Sequence, residues 1–182
     1  MGEALGDSLI TDVSIRHIDV KKLTVNHEWQ AEHIFNSAPW QHWTNCTDIP
    51  ATIADDIGQL CHVGIDVDYV PETLPSTAHW IYEPDESIAH HRQLLRSNFC
   101  NSSRGHWTES NSMRSPEGFF WRHTNPYAYP VNTIDKSARI ARVLEWAAAN
   151  RITGFGRWGT WEHMNSDIAV LNSIALGKEF CL

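Results

Sequence analysis

The residues best suited to bind a ligand lie in one stretch late in the chain. Positions 156 to 167 spell Gly-Arg-Trp-Gly-Thr-Trp-Glu-His-Met-Asn-Ser-Asp, and an apolar-periodic segment from Ile168 to Leu176 follows. Asn165, Ser166 and Asp167 are residue types that cap a helix or occupy its first turn. A helix N-terminus offers unpaired N–H groups and the positive end of the helix dipole. We therefore expect this loop to present a helix start to an anionic or electron-rich ligand. A structural loop with an ordinary cap is the alternative.

Three polar side chains in the middle of the chain are candidates for contacting a substrate. Arg92 lies on a predicted strand from Ile88 to Leu95, and strand alternation puts His90 on the same face. A guanidinium makes a two-pronged contact with carboxylate or phosphate groups. Tyr82 and Tyr129 could donate hydrogen bonds to the same ligand. The alternatives are a solvated cationic face and tyrosines that satisfy a backbone carbonyl.

A proton-transfer role is conceivable beside the predicted helix start, whereas a metal site is not indicated. Glu162 and His163 could act as acid and base if a pocket forms there, although structural roles are the default. The chain has 11 histidines and four cysteines, but it contains no H-x-H, H-E-x-x-H or C-x-x-C spacing. It also lacks the G-x-S-x-G of a serine nucleophile. We therefore predict no metal and no serine triad.

Composition limits the classes of partner. The 182 residues are 42% hydrophobic and 20% charged, which is typical of one globular domain or of a large domain with a small lobe. A net charge of -8 argues against nucleic acid, since phosphate binding rests on Lys and Arg. There is no apolar run long enough to span a membrane and no visible secretory signal. We expect a cytoplasmic protein with free, dispersed thiols that acts on a small molecule.

The hydrophobic pattern predicts an α+β fold. Residues 62–69 alternate strictly between apolar and polar types, which indicates a half-buried strand. Further strands are predicted at 78–82, 88–95, 105–110 and 119–123, and short polar loops between them favour an antiparallel sheet. A hairpin is predicted between Val13 and Val25, and a short strand runs into the turn at Pro39.

Two amphipathic helices flank this sheet in the sequence. The first is predicted over residues 51–60, where Ile53, Ile57 and Leu60 share a face. The second follows residues 129–131, with Thr133 as a candidate N-cap, and it stops at Asn150.

Several segments occur in an order that suggests a family. They are Gly6-Asp7 to Ile18-Asp19, Asn36 to Trp40, His79 to Asp85 with the following Arg92, Tyr129 to Val131, and the block from Gly156 to Asp167. This order resembles the C-terminal part of flavoproteins of the amine oxidase, protoporphyrinogen oxidase and UDP-galactopyranose mutase group. It covers most of the chain, and the terminal Gly-Arg-x-Gly-x-Trp block is its most specific part.

The resemblance implies that three consecutive segments of the chain have different roles. Residues 1–45 would be partial FAD-domain strands, residues 46–131 an antiparallel substrate-binding sheet, and residues 132–182 a helix, a flavin-facing loop and a terminal helix. It implies that the flavin ring is approached by the loop and by the helix start, through Gly156, Arg157, Trp158, Gly159, Asn165, Ser166 and Asp167. Tyr82, Arg92 and Tyr129 would line the substrate side.

One departure from the family pattern leaves several functions open. We find no G-x-G-x-x-G after a first strand anywhere in the chain, so we expect the Rossmann element that would hold the FAD pyrophosphate to be missing. The first hypothesis is the substrate-binding part of an FAD-dependent oxidoreductase or mutase-like protein. The alternatives are a flavin-free binding protein or acid–base isomerase or cyclase, and a non-catalytic subunit that needs a homo-oligomer or a partner chain with the Rossmann half. An exposed apolar patch favours the partner or a truncation, whereas a polar, closed surface favours the flavin-free protein.

Overall fold

The strand-rich middle of the chain and the segments on either side of it form two separate units. The computed structural model describes residues 6–44, 46, 48–101 and 103–180. Within these, unit 1 comprises residues 6–60 and 134–180, and unit 2 is Cys61–Thr133. The predicted α+β class with an antiparallel sheet is confirmed. Among the described helices, none combines the length and the apolar character that crossing a bilayer requires.

Unit 1 begins with three very short strands. They are β1 (Ile18–Asp19), β2 (Thr24–Val25) and β3 (Trp29–Gln30), paired in order as an antiparallel meander. The predicted hairpin is therefore present, with Ile18 opposite Val25. Its first strand begins later than the alternation from Val13 suggested.

The side chain of Asn26 explains the missing part of that strand. Its Oδ1 accepts hydrogen bonds from the backbone N–H groups of Arg16 (2.8 Å) and His17 (3.2 Å), and its Nδ2 donates to the carbonyl of Ser14 (2.9 Å). These contacts occupy backbone groups that a sheet ladder would need, so the segment before Ile18 is held as a loop.

A parallel strand pair lies at the centre of unit 1. Strand β4 (Ile34–Asn36) pairs with β10 (Ile152–Gly154), and Ile34 is opposite Ile152. This confirms the predicted strand before Pro39. Residues far apart in sequence are joined here, as parallel pairing requires a long connection.

Four helices complete unit 1. They are α1 (Ala51–Gly58), α2 (Lys136–Ala149), α3 (Gly156–Gly159) and α4 (Ser166–Phe180). The predicted cap at Thr133 is wrong, because α2 begins at Lys136 after Asp135. Asn150 is the C-cap as predicted, but the left-handed residue that ends the helix is Arg151, with φ 58°.

The hydrophobic core of unit 1 is built from aliphatic side chains and three tryptophans. Trp40, Trp161, Leu23, Ile57, Val143, Ala147 and Ile152 are fully buried. The remaining members are Ile18, Val20, Trp43, Ile53, Leu60 and Ile140. The predicted helix faces thus bury the residues that their periodicity indicated.

Unit 2 is a five-stranded antiparallel sheet. Its strands are β5 (His62–Val70), β6 (Trp80–Tyr82), β7 (His90–Leu94), β8 (His106–Asn111) and β9 (Arg122–Pro130). Across the sheet they lie in the order β6-β7-β8-β5-β9. The strand predicted at 119–123 is wrong in its bounds, because β9 starts at Arg122 and continues to Pro130. It contains two prolines, which an edge strand tolerates because one side of its backbone needs no ladder partner.

Candidate functional site

Gly154 at the end of β10 and Gly159 in the block that follows let the main chain cross itself. A Cβ atom on Gly154 would collide with the carbonyl of Gly159, and a Cβ on Gly159 would collide with the carbonyl of Asn36. The carbonyl of Gly159 accepts a hydrogen bond from the buried Trp40 Nε1 at 2.8 Å. Phe155 N–H donates to the carbonyl of Asn36 at 2.9 Å. The turn after β10 is therefore fixed against β4 by contacts that only glycine permits.

A third glycine at this turn faces open space. Gly156 has φ +64°, and no heavy atom lies within 4 Å of where its Cβ would be. Gly154, Gly156 and Gly159 have the spacing G-x-G-x-x-G, and they directly follow a parallel strand. Sequence reasoning missed this occurrence, which follows the late strand β10 and not a first strand. Glycines at this spacing allow a tight crossing and let a ligand approach the main chain closely. The helix that follows, α3, has only four residues.

The segment between α3 and α4 is held by Arg157 and contains a strained residue. Arg157 Nη2 donates to the carbonyl of Met164 at 2.8 Å, and its own carbonyl accepts from Glu162 N–H at 3.0 Å. Trp161 is fully buried with φ +56°, a left-handed conformation that is unusual for a bulky residue. Such strain concentrates at functional sites, where the surrounding packing maintains it. Arg157 therefore braces this loop from within.

The remaining late candidates lie at or near the start of α4. The carbonyl of Asn165 accepts the first intrahelical hydrogen bond, from Ala169 N–H at 3.0 Å, so Asn165 is in the N-cap position of α4. Ser166 and Asp167 are in the first turn, and all three are exposed. His163 and Glu162 are exposed, and Trp158 is half-buried with its ring 5.1 Å from that of Trp161. The helix start is thus accessible to a ligand.

An apolar cavity of about 220 Å³ adjoins the end of β4 in the same unit. Its walls include Ile18, Ile34, Phe35 and Trp43, and its polar lining includes Asn36. Asn36 also makes the close contact with the glycine crossing. The cavity therefore runs along β4 and reaches the residue on which the glycine crossing rests.

Two of the three candidates from the middle of the chain, Tyr82 and Arg92, are neighbours on one face of the sheet in unit 2. Tyr82 pairs with Arg92 across β6 and β7, and Arg92 pairs with Glu109 on β8. Arg92 donates from Nε to Glu109 Oε2 at 2.8 Å and from Nη2 to the same oxygen. Its guanidinium carbon lies 5.9 Å from the centre of the Tyr82 ring. We call the side of the sheet that carries these residues the Arg92 face.

Tyr129 interacts electrostatically with the Arg92 guanidinium. Burial lowers the pKa of Arg92, but hydrogen bonds with Tyr82 and Glu109 and the nearby Tyr129 outweigh it and hold that pKa above its ordinary value. Arg92 is therefore a fixed cation at any physiological pH. Because Glu109 already offsets its charge, the Arg92 face suits a polar or singly anionic ligand group better than a highly charged one.

A β-bulge changes which histidine accompanies Arg92. His90 pairs with Ser110, whereas Arg92 pairs with the adjacent Glu109, so His91 is an extra residue in the ladder. The prediction that His90 and Arg92 share a face is wrong, because the bulge breaks the alternation between them. His91 Nε2 instead lies 3.8 Å from Glu109 Oε2. Burial lowers the pKa of His90, whose ring contacts Gln93 at 3.0 Å.

Sequence reasoning missed Glu109 and His91. The signal for Glu109 was its position in a strand whose alternate residues, His106, Thr108 and Ser110, are buried. That alternation puts Glu109 on the opposite face, where an unlike charge across the ladder is favourable. No sequence signal marks the bulge. Among the described residues, no group of three His, Cys, Asp or Glu side chains is arranged to hold a metal ion.

Comparison with known proteins supports the fold. No protein-family model matches the sequence, and no curated protein matches it. Among solved structures, a crystal structure of reduced UDP-galactopyranose mutase is similar to 81% of this chain, with a TM-score of 0.66 and 16% sequence identity. The match covers 41% of that protein's chain, so the present chain spans less than half of its length. The likeness shows a flavoprotein-like fold.

Proposed function

We propose that this chain is the substrate-binding, C-terminal part of an FAD-dependent oxidoreductase or mutase-like protein that acts on a small organic molecule. The main support for the proposal is the backbone geometry of the turn after β10. There a G-x-G-x-x-G spacing leaves open space at Gly156, close in sequence to a long helix with an exposed N-terminus. A backbone that a planar, electron-rich ring can approach closely is what a flavin requires.

The residues of unit 1 fit part of the cofactor. Gly156 would let the flavin edge approach the main chain, and Asn165, Ser166 and Asp167 would offer backbone N–H groups to its pyrimidine edge. The positive end of the α4 dipole stabilises negative charge at such an edge. Arg157 and Gly159 would maintain the turn, and Trp158 would border it. We assign no residue of this chain to the FAD pyrophosphate.

The Arg92 face of unit 2 would bind the substrate. Arg92 and Tyr82 would orient a polar group of the substrate, and Tyr129 would add a phenolic hydroxyl. Glu109 would position the guanidinium through its fixed contact. When bound, FAD would supply the redox or bond-rearranging chemistry, while these residues bind and orient the substrate. His163 is the candidate for proton transfer beside the helix start, because it is exposed and imidazole is the side chain that most often transfers protons in catalysis.

Titration with FAD tests the proposal. The purified chain is titrated with FAD while flavin fluorescence and visible absorption are recorded. Gly156→Val fills the open space at the turn, so we expect it to weaken FAD binding at least tenfold. Gly118→Val is the matched control, because Gly118 also has a positive φ and open space but lies in unit 2. Equal binding by both variants, or a folded chain that never binds FAD, would contradict the proposal for this chain.

A flavin-free binding protein or isomerase is the second candidate. The observation that favours it is the self-contained Arg92 face, which lies within one unit and needs no cofactor for its geometry. Its test is the same titration with a different ligand. Small carboxylates, sugars and amines would be screened by tryptophan fluorescence, with Arg92→Met as the variant that should lose binding.

A further inference from the structure

Unit 2 contains a small pocket of about 230 Å³ that is lined mainly by aromatic rings. Four of its five lining residues are aromatic and the fifth is an arginine: Tyr69, Trp107, Phe120, Trp121 and Arg96. Ligand pockets are typically apolar, with a few polar groups that fix the orientation of the ligand. This pocket, which we call the aromatic pocket, has that composition.

The aromatic pocket lies on the Arg92 face. Trp107 pairs with Tyr69 on β5 and with Leu94 on β7. Arg92 pairs with Glu109, which is two residues along β8 from Trp107. Alternate residues of a strand point to the same face, so Trp107 and Glu109 share one side of the sheet, about 7 Å apart along the strand. The pocket is therefore next to the side chains proposed to orient the substrate.

The rings of the pocket form walls at an angle to each other. The Trp107 ring centre lies 5.2 Å from that of Tyr69, with 57° between the planes, and 5.0 Å from that of Trp121, with 72° between the planes. A planar guest in such a corner can stack on one ring and contact another by its edge, which are the two favoured arrangements of aromatic groups. The volume is below the usual range for drug-sized ligands, so it suits a guest of about one or two rings.

The Tyr69 wall is fixed before any guest arrives. Its hydroxyl donates to the carbonyl of Arg104 at 3.3 Å, and its backbone N–H donates to the carbonyl of Trp121 at 3.1 Å. Gly105 has φ +71°, and a Cβ atom there would collide with the Tyr69 ring. This glycine thus provides the space that the ring occupies. A wall that is already ordered reduces the entropy lost on binding.

Arg96 gives the aromatic pocket a positive charge. Its guanidinium carbon lies 5.3 Å from the centre of the Trp107 ring, where cation–π attraction stabilises it. In the part of the chain that the structure describes, no carboxylate forms an ion pair with Arg96, whereas Glu109 offsets the charge of Arg92. The N–H groups of a guanidinium lie in its plane and form a fork that matches a carboxylate. One anionic group on the guest would therefore balance the charge of the pocket.

We propose that the aromatic pocket binds a planar aromatic ring that carries a carboxylate. The ring lies against Trp107 and Trp121, and the carboxylate accepts hydrogen bonds from the Arg96 guanidinium. The inference deepens the proposed function by naming a substrate class, and the role of this ligand as a substrate rests on that function. The binding itself requires no flavin, because every lining residue belongs to unit 2.

Titration of the purified chain with 2-naphthoate, in the absence of FAD, tests the aromatic pocket. The indole N–H signals are followed by NMR, and Trp107→Phe and Trp121→Phe identify the two that belong to the pocket. We expect saturable binding that shifts these two signals more than the other indole signals. 2-Naphthamide has the same rings without the charge, and cyclohexanecarboxylate has the charge without an aromatic face. We expect each to bind about tenfold more weakly than 2-naphthoate.

Substitution of Arg96 tests the role of its charge. Arg96→Met keeps an unbranched side chain beside Trp107, so we expect it to weaken 2-naphthoate binding about tenfold and to leave 2-naphthamide binding unchanged. Arg114→Met is the matched control, because Arg114 is an exposed arginine of unit 2 outside the pocket. If Arg96→Met misfolds, Phe120→Ala replaces it, since that side chain is 90% exposed, and its loss should weaken the binding of both naphthyl ligands.

Three results would overturn the proposal: a folded chain that does not bind 2-naphthoate, equal binding of 2-naphthoate and 2-naphthamide, or equal 2-naphthoate affinity of the Arg96 and Arg114 variants. A chain that binds 2-naphthoate as expected but never binds FAD would contradict the proposed function and leave the aromatic pocket standing. The two proposals can therefore fail separately.

Discussion

The main chains of Gly154 and Gly159 cross so closely that neither position has room for a methyl group. This crossing joins the end of β10 to the turn that carries the candidate flavin contacts. It also brings the carbonyl of Gly159 within 2.8 Å of the Trp40 indole nitrogen in the core. The stability of unit 1 and the shape of the candidate site therefore depend on the same few atoms.

Substitution of Gly159 tests that dependence. Gly159→Ala forces a Cβ against the carbonyl of Asn36, so we expect a loss of about 2–3 kcal/mol in the free energy of unfolding. Urea denaturation followed by tryptophan fluorescence provides the measurement. Gly177→Ala is the control, since Gly177 lies in α4 with open space around it, and alanine there should stabilise by up to about 1 kcal/mol. Similar effects of both substitutions would argue against the crossing.

The contact between α1 and α2 should make stability depend on pH. Asp56 accepts hydrogen bonds from Arg142 at 2.6 and 2.7 Å and from Arg139 at 2.9 Å. The bond with Arg142, above all, holds the pKa of Asp56 below its ordinary 3.8. A carboxylate with a depressed folded pKa stabilises fully above its unfolded pKa, and this contribution is lost as the pH falls through the folded value.

We therefore expect Asp56→Asn to lower the folding equilibrium constant about tenfold or more at pH 7, because two arginines lose their shared carboxylate. The difference from the unsubstituted chain should shrink below about pH 4. Thermal unfolding between pH 3 and pH 7 measures both effects. Asp55→Asn is the matched control, because the Asp55 side chain is 70% exposed and its contact with Arg139 is longer, at 3.5 Å. A gap between Asp56→Asn and the unsubstituted chain that stays constant down to pH 3 would contradict the prediction.

The Arg92–Glu109 pair should be energetically coupled. Both side chains are largely enclosed, with 26% and 12% exposure, so their charge-assisted contact is less screened than a surface pair. A double-mutant cycle with Arg92→Met and Glu109→Gln should give a coupling energy of about 1–2 kcal/mol. The exposed pair between Lys22 and Asp19 is the comparison, and its coupling should be within measurement error. Equal coupling in the two pairs would show that the Arg92 contact is not preorganised.

The cysteines should differ in reactivity. Burial raises the pKa of Cys46 to about 11, whereas Cys61 and Cys100 are exposed. Because the thiolate is the reactive form, alkylation of Cys46 by iodoacetamide at pH 8 should be roughly a hundredfold slower than that of the exposed pair. Peptide mass spectrometry of timed samples resolves the rates. Loss of the difference in urea would assign the protection to the fold, while comparable rates in the native chain would refute it.

Much of the secondary structure follows from local pattern, because the signals agree with the tertiary environment. The alternation over residues 62–69 becomes β5, and the periodic segments become α1 and α2. The pattern misleads where a side chain competes for the backbone, as Asn26 does before β1. It also misleads where a strand lies at a sheet edge, as β9 does with its two prolines.

The arrangement around Arg92 could not be predicted from the sequence. Tyr82 and Arg92 were both named as candidates and pair across β6 and β7, yet the contact with Glu109 depends on a cross-strand register that no local window contains. The bulge at His91 likewise reflects the pairing of β7 with β8. Arg157 was expected to face a ligand, and its contact with the Met164 carbonyl adds a bracing role that no local pattern indicated. Whether these residues bind a flavin or a substrate stays a prediction.

The division of unit 1 into two distant segments dictates an order of events during synthesis. Unit 2 is continuous from Cys61 to Thr133, so all its strands leave the ribosome before the second half of unit 1 emerges. Trp40 must wait for a hydrogen-bond acceptor 119 residues further along the chain. The nascent chain thus carries the unsatisfied first half of unit 1 while unit 2 is free to fold. A chaperone that shields residues 18–60 at that stage would raise the yield of native protein.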